Sequence, residues 1–177
     1  MPEYRRAKTA RSRLAIGLIG HPIPRLQKER FNMSWKLLED EQPELAAFGA
    51  ERLNGKVAYL ATVRKDGAPR VHPMTPIIGS GHFFVFMEPT SPKGHDLERG
   101  GRYAIHCAVT DSSGASGEFI LSGRAHRVDN PDLRTLAVEL ASYPVADRYI
   151  LFEFEVESAA STLYPDHGPV RCSWKIS

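Results

Sequence analysis

The stretch 56–87 limits the possible folds more than any other part of the chain. It holds three strand-like segments whose links are too short for anything but antiparallel neighbours. Residues 56–63 alternate, with Val57, Tyr59, Ala61 and Val63 on one face and Ala58, Leu60 and Thr62 on the other, which predicts a strand buried on much of both sides. Asp66-Gly67 follows as a hairpin turn, because glycine accepts the positive φ that reverses a chain. Residues 70–78 return as a second strand, and Gly79-Ser80-Gly81 turns again. Residues 82–87 form a third strand, whose unbroken apolar run needs cover on both faces. Parallel strands need crossovers of about a dozen residues or more, so links of roughly three to six disfavour a Rossmann-type sheet.

The remaining segments fit the same plan. From Ser34 the pattern is helical through Leu37, Leu38, Leu45, Phe48 and Leu53, with Pro43 at a first-turn position and Asn54-Gly55 as the stop. A short helix fits residues 93–99, a fourth strand 102–109, and a fifth 117–128 with Gly123 as a bulge. Asn130-Pro131 caps a helix carrying Leu133, Leu136, Ala137 and Leu140 on one face. A sixth strand starts at Ile150, and residues 171–176 add a short seventh. The expected fold is mainly β with flanking helices, an antiparallel barrel of six principal strands.

At 177 residues the chain suits one domain, and 42% hydrophobic with 25% charged residues argues against disorder or a disulfide scaffold. The apolar run at 14–19 is broken by Gly17 and falls far short of the roughly 20 residues a membrane span needs. Residues 1–30 carry eight Lys or Arg against two acids, while the rest of the chain is net negative. Residues 1–32 are expected to form a basic arm that wraps a partner chain, is disordered, or precedes a start at Met33; the folded domain is expected over 33–177. An acidic body lacks the dense basic face that nucleic acid requires. Cys107 and Cys172 are isolated in sequence, which fits a reducing cytoplasm, and the seven histidines show no metal-ligand spacing.

Two segments carry candidate chemistry. Pro73 and Pro76 interrupt a strand, which leaves backbone groups free to meet a ligand. Lys93 stands at the start of a helical segment, where unpaired N–H groups and the positive dipole end favour an anion such as phosphate; Arg70 or Ser91 is a natural second donor. A solvated lysine beside a turn is the plainer alternative. Trp35, Trp174 and Cys107 read as core residues, Glu153, Glu155 and Glu157 as a solvated strand face, and His106 as a strand histidine.

The hydrophobic strand ending at Val63, the Asp66-Gly67 turn, Arg70-Val71-His72-Pro73, Phe83-Phe84-Val85-Phe86-Met87 and Ser91-Pro92-Lys93-Gly94-His95-Asp96-Leu97 together resemble the pyridoxamine 5′-phosphate oxidase-like, FMN-binding split-barrel family over residues 34–157. That resemblance implies a six-stranded split barrel and a homodimer with FMN at the subunit interface. It also implies an FMN-dependent oxidoreductase acting on a small molecule. Arg70, Val71, His72 and Pro73 would lie along the flavin, Phe86 and Met87 would border the ring, and Ser91, Lys93 and Gly94 would serve the phosphate. Residues 164–174 lack the Arg-x-His-x-Arg segment with which pyridoxamine phosphate oxidases handle their substrate, so the substrate stays unassigned. Relatives of this type leave two alternatives open. One is a non-catalytic flavin- or haem-binding dimer, with His72, His95 or His106 as iron ligand; the other is a deazaflavin (F420) reductase.

Overall fold

The computed structural model describes residues 34–177. The basic segment 1–32, expected as an arm, and Met33 lie outside the described residues. The helical region expected from Ser34 divides into α1 (Ser34–Glu41) and α2 (Pro43–Leu53). Pro43 has no N–H with which to continue the first ladder, and its fixed φ starts the second.

The strands are β1 (Ala58–Val63), β2 (Pro69–Met74), β3 (Ile77–Gly79), β4 (His82–Met87), β5 (Arg102–Cys107), β6 (Glu118–Val128), β7 (Ile150–Leu163) and β8 (Val170–Lys175). Two further helices are α3 (Pro92–Gly100) and α4 (Pro131–Leu140). All pairings are antiparallel, in the order β2-β1-β5-β6-β7-β4-β3, with β8 also on β7. The architecture is the expected mainly β split barrel, with its sheet left open.

The strand count differs from six because the second expected strand is cut in two. Pro76 cannot donate to a ladder, and its carbonyl instead accepts the Gly55 N–H at 2.9 Å. One stretch of chain thus feeds two places in the sheet, β2 pairing with β1 and β3 with β4. The eighth strand is paired by the far end of the long β7, which holds β4 along residues 150–153 and β8 along 158–163.

Alternation divides the apolar residues between two cores. The larger lies on the inner face, where Leu60, Phe83, Val85, Ile105, Phe119, Phe152 and Phe154 meet Trp35 and Leu38 of α1, Leu45 and Leu53 of α2, and Leu97 of α3. The smaller lies on the outer face, where α4 covers Ile77, Phe84, Phe86, Val128 and Leu151. β4 feeds both, which explains its unbroken apolar run. Gly123 is the bulge the sequence indicated: the β6-β7 register shifts between Ser122 and Gly123, and a Cβ there would stand 1.9 Å from the Glu155 carbonyl oxygen.

Two expectations about faces are corrected. β1 is buried on one side only: Ala58, Leu60 and Thr62 point inward, but Val57, Tyr59 and Val63 are about half exposed because no helix covers the outer face here. Glu153 is not solvated; it is 2% exposed, with the His82 Nδ1 at 2.6 Å from its carboxylate. Its period-2 position does face outward, but β4 and β6 flank β7 at that point and bring His82 and His126 over it. The tryptophans and Cys107 are core residues as expected, with the Trp174 indole N–H donating to Glu41 at 2.7 Å. Neither cysteine is bridged, and no helix among the described residues is long and apolar enough to cross a membrane.

Candidate functional site

Helix α3 and the β1-β2 hairpin meet at the mouth of the inner face. The hairpin closes through Gly67, whose N–H reaches the Arg64 carbonyl at 2.9 Å with φ at 84°. The helix spans Pro92–Gly100 and is capped by Gly101, whose left-handed conformation lets its N–H reach the Leu97 carbonyl at 2.7 Å. Gly94 and Leu97 face the core. A Cβ on Gly94 would lie in ordinary contact with the Met87 sulfur, Phe152 and Ser91, which places Met87, Ser91 and Gly94 together.

The start of α3 is chemically unfinished. Ser91 occupies the N-cap, yet its side chain makes no cap hydrogen bond, and Pro92 has no N–H. The first backbone donors, on Lys93 and Gly94, therefore have no partner within the helix. Lys93 is half buried, and burial alone lowers the pKa of its amine. It forms no hydrogen bond or ion pair with any described residue.

Beside it, Asp96 is a buried carboxylate with 6% exposure that joins three elements. Its Oδ2 accepts from the Thr62 hydroxyl of β1 at 2.9 Å and from Arg70 Nε of β2 at 2.8 Å, while its Oδ1 accepts from Arg99 Nη2 at 2.9 Å. Burial pushes the Asp96 pKa up, but the hydrogen bonds from Arg99, Thr62 and Arg70 together hold it below the usual carboxylate value. Asp96, Arg70 and Arg99 border a cleft of about 580 Å³ whose lining also includes Arg64, Lys65, Asp66, Pro92 and His95.

The remaining expected residues are spread over two faces. Val71 and Pro73 of β2 point outward and are exposed, while Arg70 and His72 turn inward and are partly buried. Phe86 and Met87 face opposite ways and are both buried, so only Met87 joins the α3 cluster. Phe86 lies under α4, with the Arg134 guanidinium 5.2 Å from its ring centre. Among candidate iron ligands, His95 is exposed beside Glu98, and His106 Nδ1 lies 2.7 Å from the Cys107 carbonyl oxygen. No group of three or more metal-ligating side chains gathers among the described residues. Sequence reasoning passed over Thr62, Asp96 and Arg99; the spacing of Asp96 and Arg99, one helical turn apart, was the available signal.

A family model described as pyridoxamine 5′-phosphate oxidase matches residues 43–162. No curated protein matches the sequence. Several solved structures share the fold. A NimC/NimA family protein from Clostridium acetobutylicum is 18% identical with a TM-score of 0.55, over 82% of this chain and 98% of that one. A heme binding protein from Mycobacterium smegmatis is 20% identical with a TM-score of 0.60, over 75% of this chain and 57% of that one. PhzG from Burkholderia lata, solved with tetrahydrophenazine-1-carboxylic acid, is 17% identical with a TM-score of 0.54, over 79% of this chain and 91% of that one. With the family model spanning about two thirds of the sequence and the open antiparallel barrel in place, the chain belongs to the pyridoxamine 5′-phosphate oxidase-like family.

Proposed function

We propose that the protein is an FMN-dependent oxidoreductase, a homodimer that binds the coenzyme between its subunits and acts on a small molecule. The observation that carries this reading is Lys93, a half-buried cation with no anionic partner among the described residues, at the uncapped start of α3. A phosphate matches what that start lacks: it would accept from the Lys93 ammonium and from the backbone N–H groups of Lys93 and Gly94. Bound FMN would supply hydride or single-electron transfer. The chain's own part is to bind and orient. Ser91 and Gly94 keep the helix start close to the Met87 edge, and Arg70, Val71, His72 and Pro73 offer a strand on the free edge of the sheet for the ring.

The dimer is supported by the outer face of β2, β1, β5 and β6. Register places Pro73, Tyr59, His106 and Ile120 in one row across the four strands, with Val71, Ala61, Ala104 and Ser122 in the next. Val71 is 61% exposed and Tyr59 46% in the single chain. Only His106 and Ser122 of these eight residues are polar, whereas a solvated sheet face would be polar throughout, so a strip this largely apolar suits a second copy of the same chain.

Purified protein should be yellow and sediment as a dimer, and added FMN should lose fluorescence on binding. A colourless monomer that leaves FMN fluorescence unchanged would refute the reading. The mycobacterial heme binding protein shares the fold, so the same absorption spectrum is read for a haem Soret band. Parallel reconstitution with F420 separates the deazaflavin alternative.

A further inference from the structure

The described residues bury two carboxylates, and the partners of the two differ in kind. Asp96 takes two arginines, whose charge is permanent. Glu153 takes only histidines: His82 Nδ1 lies 2.6 Å from its Oε1, and His126 Nε2 lies 3.7 Å from its Oε2. The other ring nitrogen of His126 stands 3.4 Å from Glu155 Oε1. The arginines of this region, Arg102 and Arg124, both go to Glu157 instead. An imidazole changes charge near neutral pH, so the counter-charge of this buried carboxylate depends on pH as that of Asp96 does not.

The cluster sits where the barrel splits. β4 pairs with β7 only from Phe84 opposite Glu153 to Met87 opposite Ile150. Beyond Glu153 the strands part: β7 runs on to meet β8 from Ser158, while β4 leads back through Gly79-Ser80-Gly81 to β3. His82 lies on the open side of that fork, stacks on Phe84 with ring centres 5.0 Å apart, and reaches back to Glu153. From β6, the register sets His126 directly opposite Glu153. One carboxylate thus ties three strands where β4 and β7 no longer share a ladder. The other packed elements add no charge to the cluster. Arg124, opposite Glu155, pairs with Glu157 at 3.5 Å, and β3 brings only Ile77 and Gly79 to this face. α4 packs here through Leu133, Leu136 and Leu140, leaves Asp132 and Glu139 exposed, and engages Arg134 with the carbonyls of Tyr149 and Asp147.

We propose that His82, His126, Glu153 and Glu155 form a proton-operated latch at the fork of the split barrel, which holds β4 and the β3-β4 hairpin to β7 while the imidazoles carry protons and loosens as they lose them. The hydrogen bond that His126 gives Glu155 raises its pKa above the ordinary 6.5; the charges of Glu155 and Glu153 add to this, and burial opposes it. While the carboxylates are ionised, the stabilisation is therefore complete below pH 6.5 and fades as pH rises through the raised value. A neutral imidazole can still donate one hydrogen bond, so the latch weakens without letting go. It does not depend on which coenzyme the protein holds.

Hydrogen exchange of the full-length protein at pH 6, 7 and 8 tests the latch, read by mass spectrometry as protection factors so that the intrinsic pH dependence of amide exchange drops out. Residues 77–86 should be better protected at pH 6 than at pH 8 by about threefold or more, relative to β1, which carries no histidine. Glu153→Gln keeps the shape and discards the charge, and should abolish the difference. His126→Gln, at an exposed position, should at least halve it, and decides alone if Glu153→Gln does not fold. His167→Gln, on the exposed link between β7 and β8, should leave it intact. A wild-type ratio that is flat or reversed between pH 6 and pH 8 would overturn the latch, as would a pH dependence that persists unchanged in either cluster variant.

Discussion

Helices α3 and α4 open on the same device, a polar residue followed by proline, and only one of them is completed by its own chain. At α4 the Asn130 side chain accepts from the N–H groups of Asp132 and Leu133 at 2.8 and 3.1 Å. The arginine in its next turn is equally occupied: Arg134 donates to the carbonyls of Tyr149 and Asp147 at 2.7 and 3.0 Å and covers the Phe86 ring. At α3 the Ser91 side chain caps nothing, and the neighbouring Lys93 has no partner among the described residues. Buried polar groups in folded proteins are normally satisfied, and an uncapped helix start beside a half-buried cation is the feature on which the proposed coenzyme site rests.

The comparison breaks most severely at Lys93. Lys93→Ala should weaken FMN binding by about ten- to a hundredfold, the equivalent of roughly 1.5–3 kcal/mol for a hydrogen bond to a charged group. Fluorescence titration measures it, and an unchanged dissociation constant would mean that α3 is no more a ligand site than α4. The counterpart is Arg134→Ala, which should leave FMN affinity alone but cost about 2 kcal/mol of stability in urea, because two hydrogen bonds and a cation–π contact are lost together.

A finer contrast comes from the caps themselves. Asn130→Ala removes two real acceptor contacts and should cost about 1 kcal/mol. Ser91→Ala removes none and should cost about 0.5 kcal/mol or less in the coenzyme-free protein. Equal losses in paired denaturation curves would show that the two starts are structurally alike.

How much of this was legible in the sequence depended on whether a signal was local. The hairpin at Asp66-Gly67, the bulge at Gly123 and the Asn130-Pro131 cap follow from residue chemistry within a few positions, and each occurs as read. Lys93 at a helix start was legible for the same reason. The failures needed long-range information. Period-2 spacing assigns Glu153 to the outer face, but only the pairing of β7 with β4 and β6 brings His82 and His126 over it. The exposure of Val71 and Tyr59 depends on which strands a helix happens to cover. Asp96 was overlooked because its partners come from β1, β2 and its own helix, and no spacing along the chain brings Thr62 and Arg70 to it.

The smallest effect tests what the unfinished start costs. In the coenzyme-free protein burial lowers the Lys93 pKa below its ordinary 10.5, so the unfolded chain holds that proton more tightly than the folded one. The penalty is complete at neutral pH and is relieved as pH rises through the folded value toward 10.5. Lys93→Met keeps the apolar stem and discards the charge. It should therefore raise Tm slightly at pH 7 without coenzyme, and that advantage should shrink as the solution is made alkaline. FMN at a concentration well above the wild-type dissociation constant should reverse the order, because a ligand that pairs the ammonium binds, and so stabilises, the lysine form more strongly. A methionine variant that melts below the wild type at pH 7 without FMN would show that Lys93 already has a partner in the coenzyme-free protein, and the contrast with α4 would disappear.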